Sequence, residues 1–406
     1  MRILIVSDGP LDYPLGNRRI LTTTIKFFIE RGHKVGYYGP RIKQKLPPEL
    51  VGIDFLYFEV PKITFEKVLK KARLFPELSS YYSPTLNIHF ERILKSSMSH
   101  WDLIWFIHLQ GLSYSLIDVA YKLHIPAVMH VMDNFFFCTR SYNFLDYSGE
   151  ICRWCVEYGF QSAIEMGCTG LPQWLYNRAR QKFSSSLLKL SSIFFQSEIH
   201  LNLFRAIFAD YDGRLGILDL PVDCREFQCS SSIGGNYIVF NGPLSKVKGF
   251  NWFLDVAPKS KWQFFVPLNS SKLLKTYKFP PNIKLIPNCT FDKGLKDIIA
   301  GARAVVVPSL WDLQCETATI YLMLMGKCVI TSDLGWNHIN LKDGYNTILI
   351  APYNDASFEH ALRIVQNEKT VSEIGNNARE FCLGRFSEEI WQSNVHRLLS
   401  GIGLNF

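Results

Sequence analysis

The chain has no stretch of about 18 or more uninterrupted apolar residues, so no membrane-spanning helix is expected. Its opening, MRILIVSDG, lacks the apolar core and small-residue cleavage site of a signal peptide. A cytosolic location is therefore expected, with the ten cysteines mostly reduced. Basic residues form no run and no nucleic-acid motif is visible, so no nucleic-acid partner is expected. There is also no short-period repeat and no low-complexity tract. Charge is modest, with a net excess of +8. Such an excess suits phosphate-bearing ligands or an anionic membrane surface, and equally a solvated basic face with no partner. What is abundant is apolar residue, 48% of 406, which is too much chain for one ordinary core and implies two domains.

The apolar runs have a paired layout. The first half reads as strands at Arg2–Ser7, Lys34–Tyr38, Asp54–Phe58, Leu103–His108, Ala127–Asp133 and Ser192–Gln196. Helix-like segments such as Arg19–Arg31 and Leu112–Leu123 lie between them. The second half reads as strands at Tyr237–Asn241, Trp262–Val266, Ile283–Ile286, Ala304–Pro308, Cys328–Thr331 and Thr347–Ile350, with helices at Phe250–Val256, Leu295–Ala302 and Thr317–Met325. Strands alternating with helices indicate parallel α/β sheets covered on both faces. The expected fold is two Rossmann-like domains facing across a cleft. Residues 1–228 form the first, with a cysteine-rich insertion at about 134–170, and residues 229–385 the second. The small polar segment Cys229–Gly235 reads as the linker, and the amphipathic helix Ser387–Leu399, within 386–406, is expected to pack back on the first domain.

The loop opening the second half, Asn241-Gly242-Pro243-Leu244-Ser245-Lys246-Val247-Lys248-Gly249, feeds a helix. Such a loop offers free backbone N–H groups to a phosphate, and its lysines add positive charge. This loop resembles the donor-phosphate loop of family-4 glycosyltransferases, which have the GT-B fold. Four further stretches resemble that family in order and spacing: Gly111–Cys138, Leu220–Phe227, Pro308–Trp336 and Asp343–Leu362. The resemblance is weakest from Val51 to Ser99.

The resemblance implies donor contacts from Gly242, Ser245, Lys246 and Lys248, with Lys248 on the donor diphosphate. It also implies a pair of glutamates separated by seven residues, but those positions fall on Leu313 and Tyr321. Asp312 and Glu316 flank the first of them, and Thr317 opens the helix whose N-terminus would face phosphate. Glu316 reads either as a donor ligand or as a helix cap. An arginine usual in the family is Pro243 here, with Lys246 as the compensating charge. On the acceptor side, the family's His-Asp pair is Met132-Asp133; His130 and His108 are the histidines at nearby strand ends. Asp133, His130 and His108 are the catalytic candidates. In the loop Asp8–Arg19, Gly16, Arg18 and Arg19 are candidates for phosphate or acceptor binding, with Asn17 as an alternative helix cap. The aromatic residues Phe135–Phe137, Tyr142, Phe144 and Tyr147 read as core, or as a surface for sugar or lipid.

Cys138, Cys152, Cys155 and Cys168 have spacing suited to a tetrahedral structural zinc site that would staple a long loop. An iron–sulfur cluster or four unrelated thiols are the alternatives. The resemblance implies a retaining glycosyltransferase. It would move a sugar from a UDP- or GDP-linked donor to a glycan or lipid-linked acceptor, in cell-surface polysaccharide synthesis. It would sit in the cytoplasm or peripherally at the inner face of the membrane. Two alternatives stand beside it: an inactive relative that binds glycan or a partner, and a nucleotide-sugar epimerase on the same fold.

Overall fold

The computed structural model describes residues 1–12, 16–43, 46, 50–61, 78–96, 100–145, 148–227, 235–268, 279–291, 293–312 and 315–404. Leu313 and Tyr147, and all of the linker but Gly235, lie outside the described residues. The chain divides into two compact units. One comprises Met1–Asn143, Arg153–Val222 and Trp391–Phe406; the other comprises Phe144–Cys152 and Asp223–Ile390.

The first unit is built on a seven-stranded sheet. Its strands are β1 (Arg2–Val6), β2 (Lys34–Gly39), β3 (Leu56–Glu59), β4 (Leu103–Ile107), β5 (Ala127–His130), β8 (Ser192–Phe195) and β9 (Arg214–Ile217). Their order is β3-β2-β1-β4-β5-β8-β9, with every pairing parallel. β4 is LIWFI and buried throughout, as a strand covered by helices on both faces must be. Strand β9 is a seventh strand beyond the six expected from the sequence; its RLGI core is short and half-exposed, so its apolar signal is weak. Trp105 of β4 sits in an aromatic cluster with Phe28, Phe194 and Trp391 of the C-terminal helix Glu388–Ser400. Trp391 also donates its indole N–H to Asp219 O at 3.0 Å.

The second unit carries β10 (Tyr237–Phe240), β11 (Gln263–Pro267), β12 (Ile283–Ile286), β13 (Ala304–Val307), β14 (Val329–Ser332) and β15 (Ile348–Ile350). They form a parallel sheet in the order β12-β11-β10-β13-β14-β15, matching the six strands read from the sequence. Its core gathers Phe240, Phe250, Phe253, Phe264 and Phe358 with aliphatic residues of the strands. A short antiparallel hairpin, β6 (Phe144–Leu145) with β7 (Glu150–Ile151), belongs to this unit. Helices start on side-chain caps: Asn354 accepts from Ser357 N and Asn367 from Thr370 N, each satisfying a backbone donor that has no helical partner.

Among the described residues, no helix is long and apolar enough to cross a membrane. Of the aromatic set, Phe135–Phe137 and Phe144 are core, while Tyr142 is 48% exposed.

The helix Glu368–Phe386 is pressed against the end of the helix Thr317–Leu324 at Gly375. A Cβ there would lie 2.1 Å from the carbonyl oxygen of Gly326, a backbone atom that cannot swing aside. Gly375→Ala is expected to cost about 1–3 kcal/mol through overpacking. Gly384→Ala, in the same helix with open space around it, is expected to gain about 0.5–1 kcal/mol from helix propensity. Chemical denaturation of the two variants measures both, and equal effects would disprove the close-packing argument.

Candidate functional site

In an open parallel sheet, ligands bind at the carboxyl ends of the strands where the strand order reverses. In the first unit that point lies between β1 and β4. Three polar residues meet there. Asp8 follows β1, His108 follows β4, and Asp133 follows β5. His108 Nδ1 lies 2.5 Å from Asp8 Oδ1, and its Nε2 lies 2.8 Å from Asp133 Oδ2. The imidazole is held between two carboxylates contributed by the strands on either side of its own.

Each member of this constellation is anchored. Asp8 Oδ2 accepts from Gly111 N at 2.5 Å, and Asp8 N donates to His108 O. Tyr37 of β2 donates its hydroxyl to Gly9 O, fixing the turn beside Asp8. Asp133 Oδ1 accepts from Phe135 N at 2.8 Å. The buried Arg180 donates to Phe135 O at 3.3 Å and Phe136 O at 3.0 Å, and its guanidinium packs over the Phe160 and Phe183 rings. That clamp holds the loop that carries Asp133. His108 itself has φ of 52°, a left-handed backbone that bends the chain out of the strand. The triad stays partly open, with side-chain exposure of 21% for His108 and 13% for Asp8.

Burial opposes the charged form of His108, but the charges of Asp133 and Asp8, with their hydrogen bonds, outweigh it and raise its pKa well above the ordinary value. His130 differs in every respect. It is fully buried, its Nε2 lies 2.9 Å from Leu218 O, and its ring meets Trp105 edge-on. Burial pushes its pKa down to about 4. The expectation that His130 flanks the reacting groups is therefore corrected: the pleat turns it into the core. Gly16 begins the helix Gly16–Glu30, so Arg18 and Arg19 lie half-buried in its first turn and Asn17 lies inside the helix.

The equivalent point in the second unit lies between β10 and β13. The loop after β10 and the loop after β13 are bound together: Leu310 N donates to Val247 O at 2.8 Å, and Gly249 presses on Pro308. Gly249 has φ of 72°, and a Cβ there would lie 2.0 Å from Pro308 O, so only glycine fits. This close approach presents Lys248. Its Nζ contacts Glu316 Oε2, lies 3.4 Å from Ser309 Oγ, and sits 4.0 Å from the centre of the Trp311 ring. Glu316 stands at the N-cap position of the helix Thr317–Leu324 but makes no side-chain cap hydrogen bond. The cap role is corrected: its carboxylate is drawn to Lys248 instead. Ser245 O accepts from Lys248 N and Phe250 N, closing the turn; Gly242 is half-buried and Lys246 exposed. Asp312 is fully buried. Tyr321 stacks on Phe227 at 4.2 Å between ring centres, so its ring is engaged in packing where the resemblance has a glutamate.

The expected zinc site finds no support. Among the described residues, no group of three or more His, Cys, Asp or Glu is arranged to hold a metal ion. Cys155 and Cys168 pack against a small apolar cluster around Ala163, Leu171 and Tyr176, and Cys138 and Cys152 are buried.

Reading the sequence singled out Lys248, Glu316, His108 and Asp133 but passed over Asp8, Ser309 and Trp311. The available signal for Asp8 was its position as the first charged residue after β1, at a strand's carboxyl end.

Two titrations follow from the histidines. The folded pKa of His108 is raised, so its stabilisation is complete below about pH 6.5 and fades as pH rises through the folded value. His130 is depressed, so stability is lost as pH falls from about 6.5 towards about 4. NMR of the imidazole carbons is expected to show His108 charged through neutral pH, with Asp8→Asn lowering its midpoint. A wild-type midpoint near the ordinary value would contradict the carboxylate sandwich.

Comparison with known proteins agrees with this layout. Residues 235–367 match the family Glycosyl transferases group 1. No curated protein sequence matches the chain. Among solved structures, the chain is similar to sucrose-phosphate synthase from Thermosynechococcus elongatus, with TM-score 0.70, 12% identity and 99% of each chain covered. It is similar to Anabaena HepE in complex with UDP-glucose, with TM-score 0.64, 14% identity, and 98% of this chain and 100% of that one covered. WaaG, a glycosyltransferase involved in lipopolysaccharide biosynthesis, matches with TM-score 0.60, 12% identity, and 98% and 99% covered. Residues 235–367 are thus similar to the glycosyl transferases of group 1, and the two parallel-sheet units have the GT-B fold.

Proposed function

We propose that the protein transfers a sugar from a nucleotide-sugar donor, UDP- or GDP-linked, to a glycan or lipid-linked acceptor in cell-surface polysaccharide synthesis. The observation that carries this reading is Lys248, held by Ser309, Trp311 and Glu316 at the switch point of a unit that matches a glycosyltransferase family. HepE is described in complex with UDP and with UDP-glucose, which favours a uridine donor here.

In this reading the donor diphosphate displaces Glu316 from Lys248. The ammonium then offsets the charge that grows on the leaving diphosphate, assisted by Lys246, the backbone N–H groups of Gly242 and Leu244 and the Thr317 helix end. The released Glu316 carboxylate repels the diphosphate, so it accepts hydrogen bonds from sugar hydroxyls, with Asp312 behind it. In the first unit, His108, fixed by Asp8 and Asp133, meets the acceptor hydroxyl, and Gly16, Arg18 and Arg19 hold a phosphate or the acceptor. Transfer proceeds with retention of configuration, and the protein works in the cytoplasm or at the inner face of a membrane. A second reading, an inactive binding protein, draws on the stacking of Tyr321 on Phe227 where the resemblance has a glutamate.

Calorimetry with UDP, GDP and UDP-glucose tests the donor site. Lys248→Ala is expected to weaken the nucleotide-sugar at least tenfold, about 1.4 kcal/mol. Glu316→Gln is expected to bind UDP as well as or better than the parent, because the competing carboxylate charge is gone, while losing the extra affinity supplied by the sugar. Unchanged affinity in Lys248→Ala would remove the loop from the donor site. Tight donor binding without turnover on any acceptor would favour the inactive reading.

A further inference from the structure

The turn that follows β4 wraps around Asp8. His108 Nδ1 and Gly111 N each hold one oxygen of its carboxylate, both at 2.5 Å. A Cβ at Gly111 would lie 2.6 Å from Asp8 Oδ2, so the absence of a side chain lets the backbone come this close. Gln110 lies in the same turn and is half-buried. Its backbone oxygen accepts from Ser80 Oγ, and its side-chain Oε1 accepts from Ser141 Oγ at 2.7 Å. Its Nε2 makes no hydrogen bond among the described residues.

Ser141 holds Gln110 from a costly conformation. Its φ of 66° is left-handed, which a residue with a Cβ rarely adopts. Its N donates to Cys138 O at 2.9 Å and its O accepts from Asn134 N at 3.3 Å, so it rides on the loop that presents Asp133. One loop therefore orients two groups of the crevice: Asp133 fixes His108, and Ser141 fixes Gln110. An amide that only met solvent would need no such support, because fixing a long side chain costs rotamer entropy. With Oε1 taken by the Ser141 hydroxyl, the two N–H donors of Nε2 are the open groups of this side chain. Both nitrogens of His108 are engaged by carboxylates. Each oxygen of Asp8 has accepted one hydrogen bond and keeps capacity for another. The turn thus offers an uncommitted amide donor together with a carboxylate acceptor. A phosphate would satisfy the amide but be repelled by Asp8. Hydroxyls donate as well as accept, and a sugar ring carries several of them.

We propose that Gln110 and Asp8 form a sugar subsite in the first unit, in which Gln110 Nε2 donates to one hydroxyl of the acceptor sugar and the Asp8 carboxylate accepts from another. Ser141 is the positioning residue for Gln110. The assignment rests on the glycosyltransferase reading for the kind of ligand, and adds to it the residues that select a neutral polyhydroxy ring over a phosphate at this turn.

NMR titration of the full chain with glucose, galactose, mannose and N-acetylglucosamine tests it. The side-chain amide signal of Gln110, identified by its loss in Gln110→Met, should move saturably with at least one of these sugars. Gln110→Met should weaken that sugar about three- to tenfold, the worth of one neutral hydrogen bond. Ser141→Gly takes the left-handed backbone without strain but lacks the hydroxyl, so it should weaken the same sugar. Combined with Gln110→Met it should add no further loss, because Ser141 acts through Gln110. Crystals soaked in that sugar should place hydroxyl oxygens in contact with Gln110 Nε2 and Asp8. Silence towards all the sugars, a soaked sugar bound away from Gln110, or additive losses in the double variant would each overturn the assignment. Calorimetry with UDP on the same protein reports on the donor reading separately. Nucleotide binding with a silent Gln110 sinks the subsite alone, whereas a sugar response without nucleotide binding supports the subsite and sinks the donor reading.

Discussion

A parallel strand covered on both faces has nowhere to put a charge along its length. Every side chain of β4 and of β13 is buried, and both runs are wholly apolar. Polar groups are therefore displaced to the ends of the strands. Where the strand order reverses, neighbouring connections leave towards opposite faces and a crevice stays open between them. Asp8, His108 and Asp133 occupy that position in one sheet, and Lys248, Ser309 and Glu316 occupy it in the other. The same constraint that gives each sheet its core thus selects where chemistry can be placed.

Groups gathered at such a point must be compensated even when no ligand is present. Both constellations do this internally. His108 lies between two carboxylates, and Lys248 lies against one. These contacts limit the cost of partial desolvation and hold each side chain in one orientation. In the proposed reading the Glu316 contact is also exchangeable, since the donor diphosphate displaces it from Lys248. The supports beneath them are less negotiable. Arg180 is bonded to two successive carbonyls, and Gly249 is pressed on Pro308 with no room for a side chain. Rigid supports below and interchangeable partners above suit a binding site that must open to its ligand.

Much of this was legible from the residues. All six strands of the second sheet appear as short apolar runs, because hydrophobic burial there is a local property of four or five consecutive residues. The Lys248 loop could be read for the same reason: its glycines and lysines are neighbours in the chain. What escaped had weak or misleading local signals. β9 is half-exposed. Cys138, Cys152, Cys155 and Cys168 have metal-like spacing, and Cys155 and Cys168 pack against an apolar cluster. His130 sits near a strand's carboxyl end as a catalytic histidine would, but its side of the pleat faces the core.

The sequence by itself determined the two parallel sheets, their helices and the phosphate-loop pattern, because strand and helix formation follow from periodicities a few residues long. Only the tertiary structure decided which histidine faces the crevice, that Asp8 joins it from 100 residues away, and that Glu316 answers a lysine 68 residues earlier instead of capping its own helix. Those choices depend on how two strand ends are set side by side. The local pattern around either residue carries no record of that arrangement.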